Sequence, residues 1–362
     1  MPINALEDRP RPAIGHAVFT IDPLSDSRWD DFVSSHSDAS IFHHPGWLRS
    51  LAETYGFHPL VLTSTPDRQP LSNGIPFCEV HSCITGSRLV SLPFSDHCEP
   101  LLSGEENIAD FTRWIGAERK RNKWKYVELR PRRWKPTSAL ALNPTQSFVF
   151  HTLSLEPPLS QIFATFHKDS VQRRIRRAER DGLIYENGCS EDFLDSFYRL
   201  LIMTRARHGL PPQPRAWFCN LLNHLRPYAE IRVARKGSQA IAAIMSFKFR
   251  DTIVDKYACS DHNFHQLGAM PFLFWRLIEE SKAEGIKKLD FGRTDHDALS
   301  LIRFKDHFGG VREQSNYFRI GAPSIETGSA TAHMSAARHR LFSLLPARVS
   351  SLLGAFFYRH VA

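Results

Sequence analysis

Three stretches of this chain carry residue types that can move protons or hold anions. The first, Asp290-Phe291-Gly292-Arg293-Thr294-Asp295, follows a strand signal at Lys288-Leu289 and runs on to Phe304-Lys305-Asp306-His307-Phe308-Gly309-Gly310. In an open α/β sheet the ligand crevice lies outside the carboxyl ends of the strands, so these groups are placed to meet a substrate. A strand-to-helix turn also needs glycine and capping residues for purely architectural reasons. The second stretch is Ser91-Leu92-Pro93-Phe94-Ser95-Asp96-His97-Cys98-Glu99-Pro100. There a strand runs into Asp96, His97 and Glu99, which can exchange protons or hold an amine inside an apolar frame; a packed loop histidine is the plainer role for His97.

The third stretch is cationic, from His167-Lys168-Asp169-Ser170 through Arg173-Arg174-Ile175-Arg176-Arg177-Ala178-Glu179-Arg180. At about 100° per residue, Val171, Ile175 and Ala178 fall in one sector and Arg173, Arg176, Arg177 and Arg180 in the opposite one. Guanidinium groups meet phosphate or carboxylate in bidentate fashion, so this face suits a phosphate-bearing ligand or an RNA backbone. A solvated helix face is the alternative. The upstream apolar set Ile162, Phe163 and Phe166 is out of phase with Val171 and Ile175, which places a break at Lys168-Asp169-Ser170 with Asp169 or Ser170 as N-cap.

Two weaker signals complete the set. Tyr257 closes the strand signal Asp255-Lys256-Tyr257-Ala258, where it can position a substrate or fill the core. Gln266-Leu267-Gly268-Ala269 precedes a helix and is a partial form of the loops whose backbone amides hold pyrophosphate. The sequence has no Walker-type loop, no dinucleotide-binding glycine fingerprint, no His-Glu-x-x-His and no glycine-flanked serine nucleophile. Its six cysteines lack the paired spacing of zinc sites and read as reduced thiols, with no metal expected.

These residues must be positioned by an α/β scaffold. Strand signals at 16–21, 59–63, 75–81, 88–93 and 125–130, with helix signals after Asp26, at Pro45 and at 108–121, occupy the first part. After a strand at 148–155 come helices at 159–179, 191–208 and 215–225, strands at 228–234, 240–249 and 252–258, and a helix at 270–284 leading to Asp290. The order repeats: strands, a helix, then Lys125-Tyr-Val-Glu-Leu-Arg130; strands, a helix, then Lys287-Lys-Leu-Asp-Phe-Gly-Arg293. Two related α/β (α+β) domains are therefore expected, 15–150 and 151–322, with a cleft between them, since binding sites favour domain interfaces. The echo of Asp290 at Glu128 marks part of that pattern as architectural.

At 362 residues the chain has room for two domains, and its net charge of +8 favours anionic partners. Residues 1–14 read as a flexible arm without a signal peptide's apolar core, and no run approaches the ~20 apolar residues of a membrane span, so a cytoplasmic protein is expected. Residues 323–362 read as a linker followed by a basic, amphipathic tail. That tail can pack on the body or lie on the inner face of an anionic membrane.

Taken in order, the 91–100 and 173–182 stretches, Ala269-Met-Pro-Phe-Leu-Phe-Trp275, Leu289-Asp-Phe-Gly-Arg293 and Phe304-Lys-Asp-His-Phe-Gly-Gly310 resemble the FemAB-like branch of the GNAT acyltransferase superfamily, over about residues 15 to 320. The resemblance implies tandem GNAT-like domains with mixed central sheets flanked by helices, and acyl transfer onto an amine. Fem-type members attach amino acids from aminoacyl-tRNA to peptidoglycan precursors, and relatives encoded beside exopolysaccharide genes act on sugar intermediates. The chain lacks both the long coiled-coil insertion of some tRNA-using members and a full CoA-binding glycine loop, leaving acyl-CoA and aminoacyl-tRNA both open as donors.

The expected reaction is transfer of an acetyl, acyl or aminoacyl group to an amine or hydroxyl of a cell-envelope or polysaccharide precursor, an anionic small molecule or lipid-linked saccharide. Asp96 and His97 are the candidate proton acceptors, and Arg293 and Lys305 the candidate donors to an anionic group. Arg173 and Arg177 are assigned to phosphate, and Lys168, Tyr257, Gln266 and Asp290 to the substrate. The rival reading is a non-catalytic RNA- or membrane-binding protein using the Arg173–Arg180 helix.

Overall fold

A computed structural model of the chain describes residues 17–102, 108–135, 142, 144–321 and 347–361. The N-terminal arm, the linker and the first part of the tail lie outside the described residues. The first half comprises strands β1 (Phe19–Ile21), β2 (His58–Thr63), β3 (Ile75–Val80), β4 (Arg88–Val90) and β5 (Val127–Leu129), with helices α1 (Arg28–Ser35), α2 (Pro45–Tyr55) and α3 (Ile108–Arg121). Strand β6 (Pro144–Ser154) leads into α4 (Leu159–Thr165), α5 (Arg173–Arg180), β7 (Ile184–Gly188), α6 (Glu191–Arg207) and α7 (Arg215–His224). Then come β8 (Ala229–Lys236), β9 (Gln239–Phe249), β10 (Thr252–Ser260), α8 (Ala269–Ala283), β11 (Lys288–Thr294), α9 (Leu299–His307), β12 (Val311–Ile320) and α10 (Ala347–Val361).

The repeat read from the sequence is realised in the pairing. β2, β3 and β4 run antiparallel and β4 then pairs parallel with β5; β8, β9 and β10 run antiparallel and β10 pairs parallel with β11. Each parallel pair needs a crossover, supplied by α3 and α8. The halves nevertheless share one sheet, in the order β1-β2-β3-β4-β5-β12-β6-β11-β10-β9-β8-β7. β12 joins them, pairing with β5 on one side and β6 on the other. They share a core as well: the Trp47 ring on α2 sits 5.3 Å from Trp217 on α7 and 5.8 Å from Phe247 on β9. Gly46 permits this approach, because a Cβ there would lie 2.2 Å from the His224 carbonyl oxygen.

The arginine segment corrects one expectation. The chain breaks two residues earlier than the phase change suggested, at Phe166-His167, and Lys168–Gln172 is a π-helical turn rather than a gap. His167, not Asp169 or Ser170, is the N-cap: its Nδ1 accepts from the Ser170 amide, so an imidazole does what a short polar side chain usually does. Gln172 Nε2 donates to the Phe163 and Phe166 carbonyls and ties off the end of α4. The extra residue of the π turn re-phases the apolar face, and Val171, Ile175 and Ala178 are all buried.

The described part of the tail docks on the body. Arg88 Nη2 and Thr85 Oγ1 both donate to the His360 carbonyl at 2.9 Å, and the Tyr358 hydroxyl donates to the Pro211 carbonyl. Among the described residues no helix is long and apolar enough to cross a membrane.

Candidate active site

The site forms where β10 and β11 part. Their parallel pairing ends at Val254↔Asp290. Beyond that point β10 is bulged against β9 between Asp255 and Tyr257, and β11 slips register against β6 between Asp290 and Arg293. Gly292 makes the second irregularity, with φ at +70°, a region costly for any residue bearing a Cβ. Bulges of this kind re-aim side chains, and here they gather polar groups from both strands.

The 91–99 segment, which follows β4, comes over this opening from the other half. Leu92 and Phe94 hold positive φ, 39° and 61°, and Ser95 Oγ donates to the Leu92 carbonyl at 2.6 Å. This contorted turn delivers Asp96 and His97. Asp96 Oδ1 accepts from Lys256 Nζ at 2.8 Å and lies 3.7 Å from Arg293 Nε, while the Asp96 carbonyl accepts from the Tyr317 hydroxyl. His97 Nε2 sits 3.3 Å from Asp290 Oδ2, and the Gly292 amide donates to Asp290 Oδ1 at 2.6 Å. Phe42 and Phe150 meet the imidazole edge-on at 5.2 and 5.7 Å, leaving it little freedom to turn.

Lys305 reaches back from α9 and donates to Thr294 Oγ1 at 2.7 Å and to the Gly292 carbonyl at 3.1 Å. Its ammonium therefore pins the irregular end of β11. Arg293 is freer: its guanidinium lies over the Phe148 and Tyr317 rings, 4.2 and 5.1 Å from their centroids, and its side chain is 34% exposed.

The charges are arranged to balance. Burial would raise the Asp96 carboxyl, but Lys256 and Arg293 outweigh it and hold the group below the usual range, as a carboxylate. Burial lowers both Lys256 and Lys305 against the pull of their acidic neighbours. Asp255 differs: burial, helped by Asp96 and Asp290 and opposed by Lys305, pushes it up to about 7, and its Oδ1 is buried without a hydrogen-bond partner. Between its unfolded value and about 7 the folded state holds a proton that the unfolded state has lost, so this group makes stability fall as pH rises through that window. Asp255→Asn is expected to remove that fall, gaining stability over the parent at pH 8 but not at pH 4, as read by thermal melts across pH.

A cavity of about 220 Å³ opens between the halves, with the 37–41 loop, Glu99, Arg132 and Arg133 on one side and Arg250, Thr252, Val254 and Lys288 on the other. His97 and Asp290 line it too. Glu99 is committed to structure, its carboxylate accepting the backbone amides of Arg132, Arg133 and Trp134.

Of the residues singled out in the sequence, Asp96, His97, Asp290, Arg293 and Lys305 are brought together. Tyr257 is not: it is buried against Phe218, its hydroxyl accepting from Trp217 Nε1 at 2.8 Å. Lys168, Arg173, Arg177 and Gln266 form a separate exposed set. Arg173 pairs with Asp169 and Arg177 with Asp181. Helix α5 packs beside α8, whose start lies so close that a Cβ on Gly268 would sit 2.5 Å from the Arg174 carbonyl oxygen. Among the described residues no cluster of His, Cys, Asp and Glu is arranged to hold a metal.

Sequence reasoning passed over Lys256 and Asp255. The available signal was two charged residues inside the otherwise apolar strand Thr252-Ile-Val-Asp-Lys-Tyr, because a buried polar group is more informative than an apolar one.

Residues 166–306 match the family described as Acetyltransferase (GNAT) domain. No curated protein matches the chain in sequence. Among solved structures the chain is similar to FemX, with a TM-score of 0.65 at 12% identity over 82% of this chain and 96% of that one. It is also similar to the C-terminal domain of a putative lysylphosphatidylglycerol synthetase from Agrobacterium fabrum, with a TM-score of 0.54 at 13% identity over 82% and 91% of the two chains. A tandem GNAT protein from the clavulanic acid biosynthesis pathway gives a TM-score of 0.52 at 9% identity over 85% and 100%. Residues 166–306 thus match a GNAT acetyltransferase domain, in a chain whose fold is similar to that of FemX.

Proposed function

We propose that this protein transfers an acetyl, acyl or aminoacyl group from an activated, phosphate-bearing donor to an amine or hydroxyl of a cell-envelope or polysaccharide precursor. Acyl transfer is the chemistry of the family that residues 166–306 match. The observation that carries the reading is the meeting of Asp96 and His97 from one half with Lys256, Asp290 and Arg293 from the other, beside a cavity the halves share.

The nucleophile must lose a proton as it attacks the donor carbonyl. In the neutral tautomer that donates Nε2–H to Asp290, His97 presents Nδ1 as a lone pair, so it is the proposed base, with Asp290 and the Gly292 amide fixing the ring. Asp96, held as a carboxylate by Lys256, serves as an electrostatic clamp. Arg293, stacked and part-exposed, is the proposed contact for an anionic group of donor or acceptor. Lys168, Arg173, Arg177 and Gln266 are proposed to hold donor phosphates beside the start of α8. Acyl-CoA and aminoacyl-tRNA both present such phosphates, so the donor is left to experiment.

The test supplies labelled acetyl-CoA and aminoacyl-tRNA in parallel, with nucleotide-linked and lipid-linked saccharide precursors as acceptors, and reads product by mass. His97→Ala is expected to lower kcat by about 10²- to 10⁴-fold, the range of a lost general base, and Arg293→Ala to act mainly on KM. No transfer from either donor to any such acceptor, or full activity in both variants, would overturn the proposal.

A further inference from the structure

Helix α10 has two sides with opposite fates. Its inner side is spent on the body: Gly354 lies so close to the Pro212 carbonyl that a Cβ would sit 1.9 Å from it, the Tyr358 ring meets Phe94, and His360 Nδ1 pairs with Ser82 Oγ. Leu353, Phe356 and Phe357, spaced i, i+3 and i+4, form an outward stripe and remain 39%, 58% and 36% exposed. Large apolar side chains clustered on one helix face mark an interaction surface.

The charge of the tail's sequence selects the stripe's partner. From Thr327 to the C-terminus the sequence holds four arginines, Arg338, Arg340, Arg348 and Arg359, and no acidic residue. Arg359 is exposed on the last turn of α10 itself. A second copy of the chain is a poor match for so small a patch. At ~150–250 Å² per large side chain the stripe offers about 300 Å², against ~800 Å² per partner in a stable interface. A lipid surface needs no such area, because apolar side chains inserted at the headgroup boundary add to the attraction between arginines and anionic lipid.

We infer that the outer face of α10 docks this protein on an anionic bilayer while the inner face stays bound to the body. The helix then lies in the interface, with Phe356 and Phe357 inserted and Arg359 at the headgroups. The inference rests on the tail alone and stands apart from the acyl-transfer reading.

Co-sedimentation of the full chain with vesicles tests it, using phosphatidylcholine alone and phosphatidylcholine mixed with phosphatidylglycerol. Binding is expected to the anionic vesicles, weaker with rising salt, and reduced at least about tenfold by F356S/F357S, two buried rings being worth more than that. Leu353→Glu gives an independent variant of the same stripe, and both are checked for a parental melting temperature and transfer rate. Equal binding to neutral vesicles, or anionic binding unchanged in folded F356S/F357S and Leu353→Glu (which would assign it to the α5 arginines), overturns the inference. So does a concentration-dependent dimer in sedimentation velocity that these variants abolish.

Discussion

Gly292→Ala is expected to cost transfer activity about 10²-fold or more while the protein still folds. The new methyl group would lie 2.6 Å from Asp96 Oδ2, on a backbone whose φ is +70°. The left-handed conformation alone costs roughly 1–2 kcal/mol for a residue with a Cβ, a moderate fraction of total stability. The larger effect is geometric. Asp96 must retreat, which loosens its bond to Lys256 and shifts the adjacent His97 away from Asp290; a displacement of about 1 Å in a positioned group can cost 10²-fold. Steady-state kcat/KM beside a thermal melt separates the two effects. Parental kcat/KM in Gly292→Ala would show that the contact between β11 and the 91–99 segment plays no part in the chemistry.

Lys305→Met is expected to be the most destabilising single change in this cluster. The residue is 5% exposed, and its ammonium supplies hydrogen bonds to Thr294 Oγ1 and the Gly292 carbonyl. Methionine nearly matches its volume but leaves those acceptors unpaired and removes a cation facing Asp96, Asp255 and Asp290. Breaking a buried charge arrangement from one side costs about 3–5 kcal/mol. Since Lys305 is the strongest influence holding Asp255 down, its loss also pushes the Asp255 titration above its present value of about 7. A denaturant titration reads the first effect, and stability measured across pH reads the second. An unchanged unfolding midpoint would mean that water, rather than this lysine, satisfies the end of β11.

The cluster explains why its members looked unequal in the sequence. Glu128 and Asp290 occupy echoed positions, yet Glu128 is consumed by Arg130 and Arg319 while Asp290 faces His97. The same strand position is architectural in one half and part of the site in the other: two residues on from Asp290 stands Gly292, where β11 slips register, whereas two residues on from Glu128 stands Arg130, which pairs with it.

Local order was legible because it depends on neighbours three or four residues away on a helix, or two away on a strand. Thus the phase of Val171, Ile175 and Ala178 foretold a buried face, and the repeated order of strands, helix and closing strand recurs in the structure as two parallel pairs. The motifs also held Asp96, His97, Arg293 and Lys305 in view. The tertiary structure alone decided which of them meet. The contact of His97 with Asp290 spans 193 positions, and that of Asp96 with Lys256 spans 160. The β10 bulge breaks the alternation that would otherwise assign Asp255, Lys256 and Tyr257 to faces, sending Tyr257 into the core and the two charged residues to the opening. Sequence fixes which groups are present and how each element is phased; their burial and ionisation depend on charges and carbonyls that only the closed sheet brings within a few ångströms.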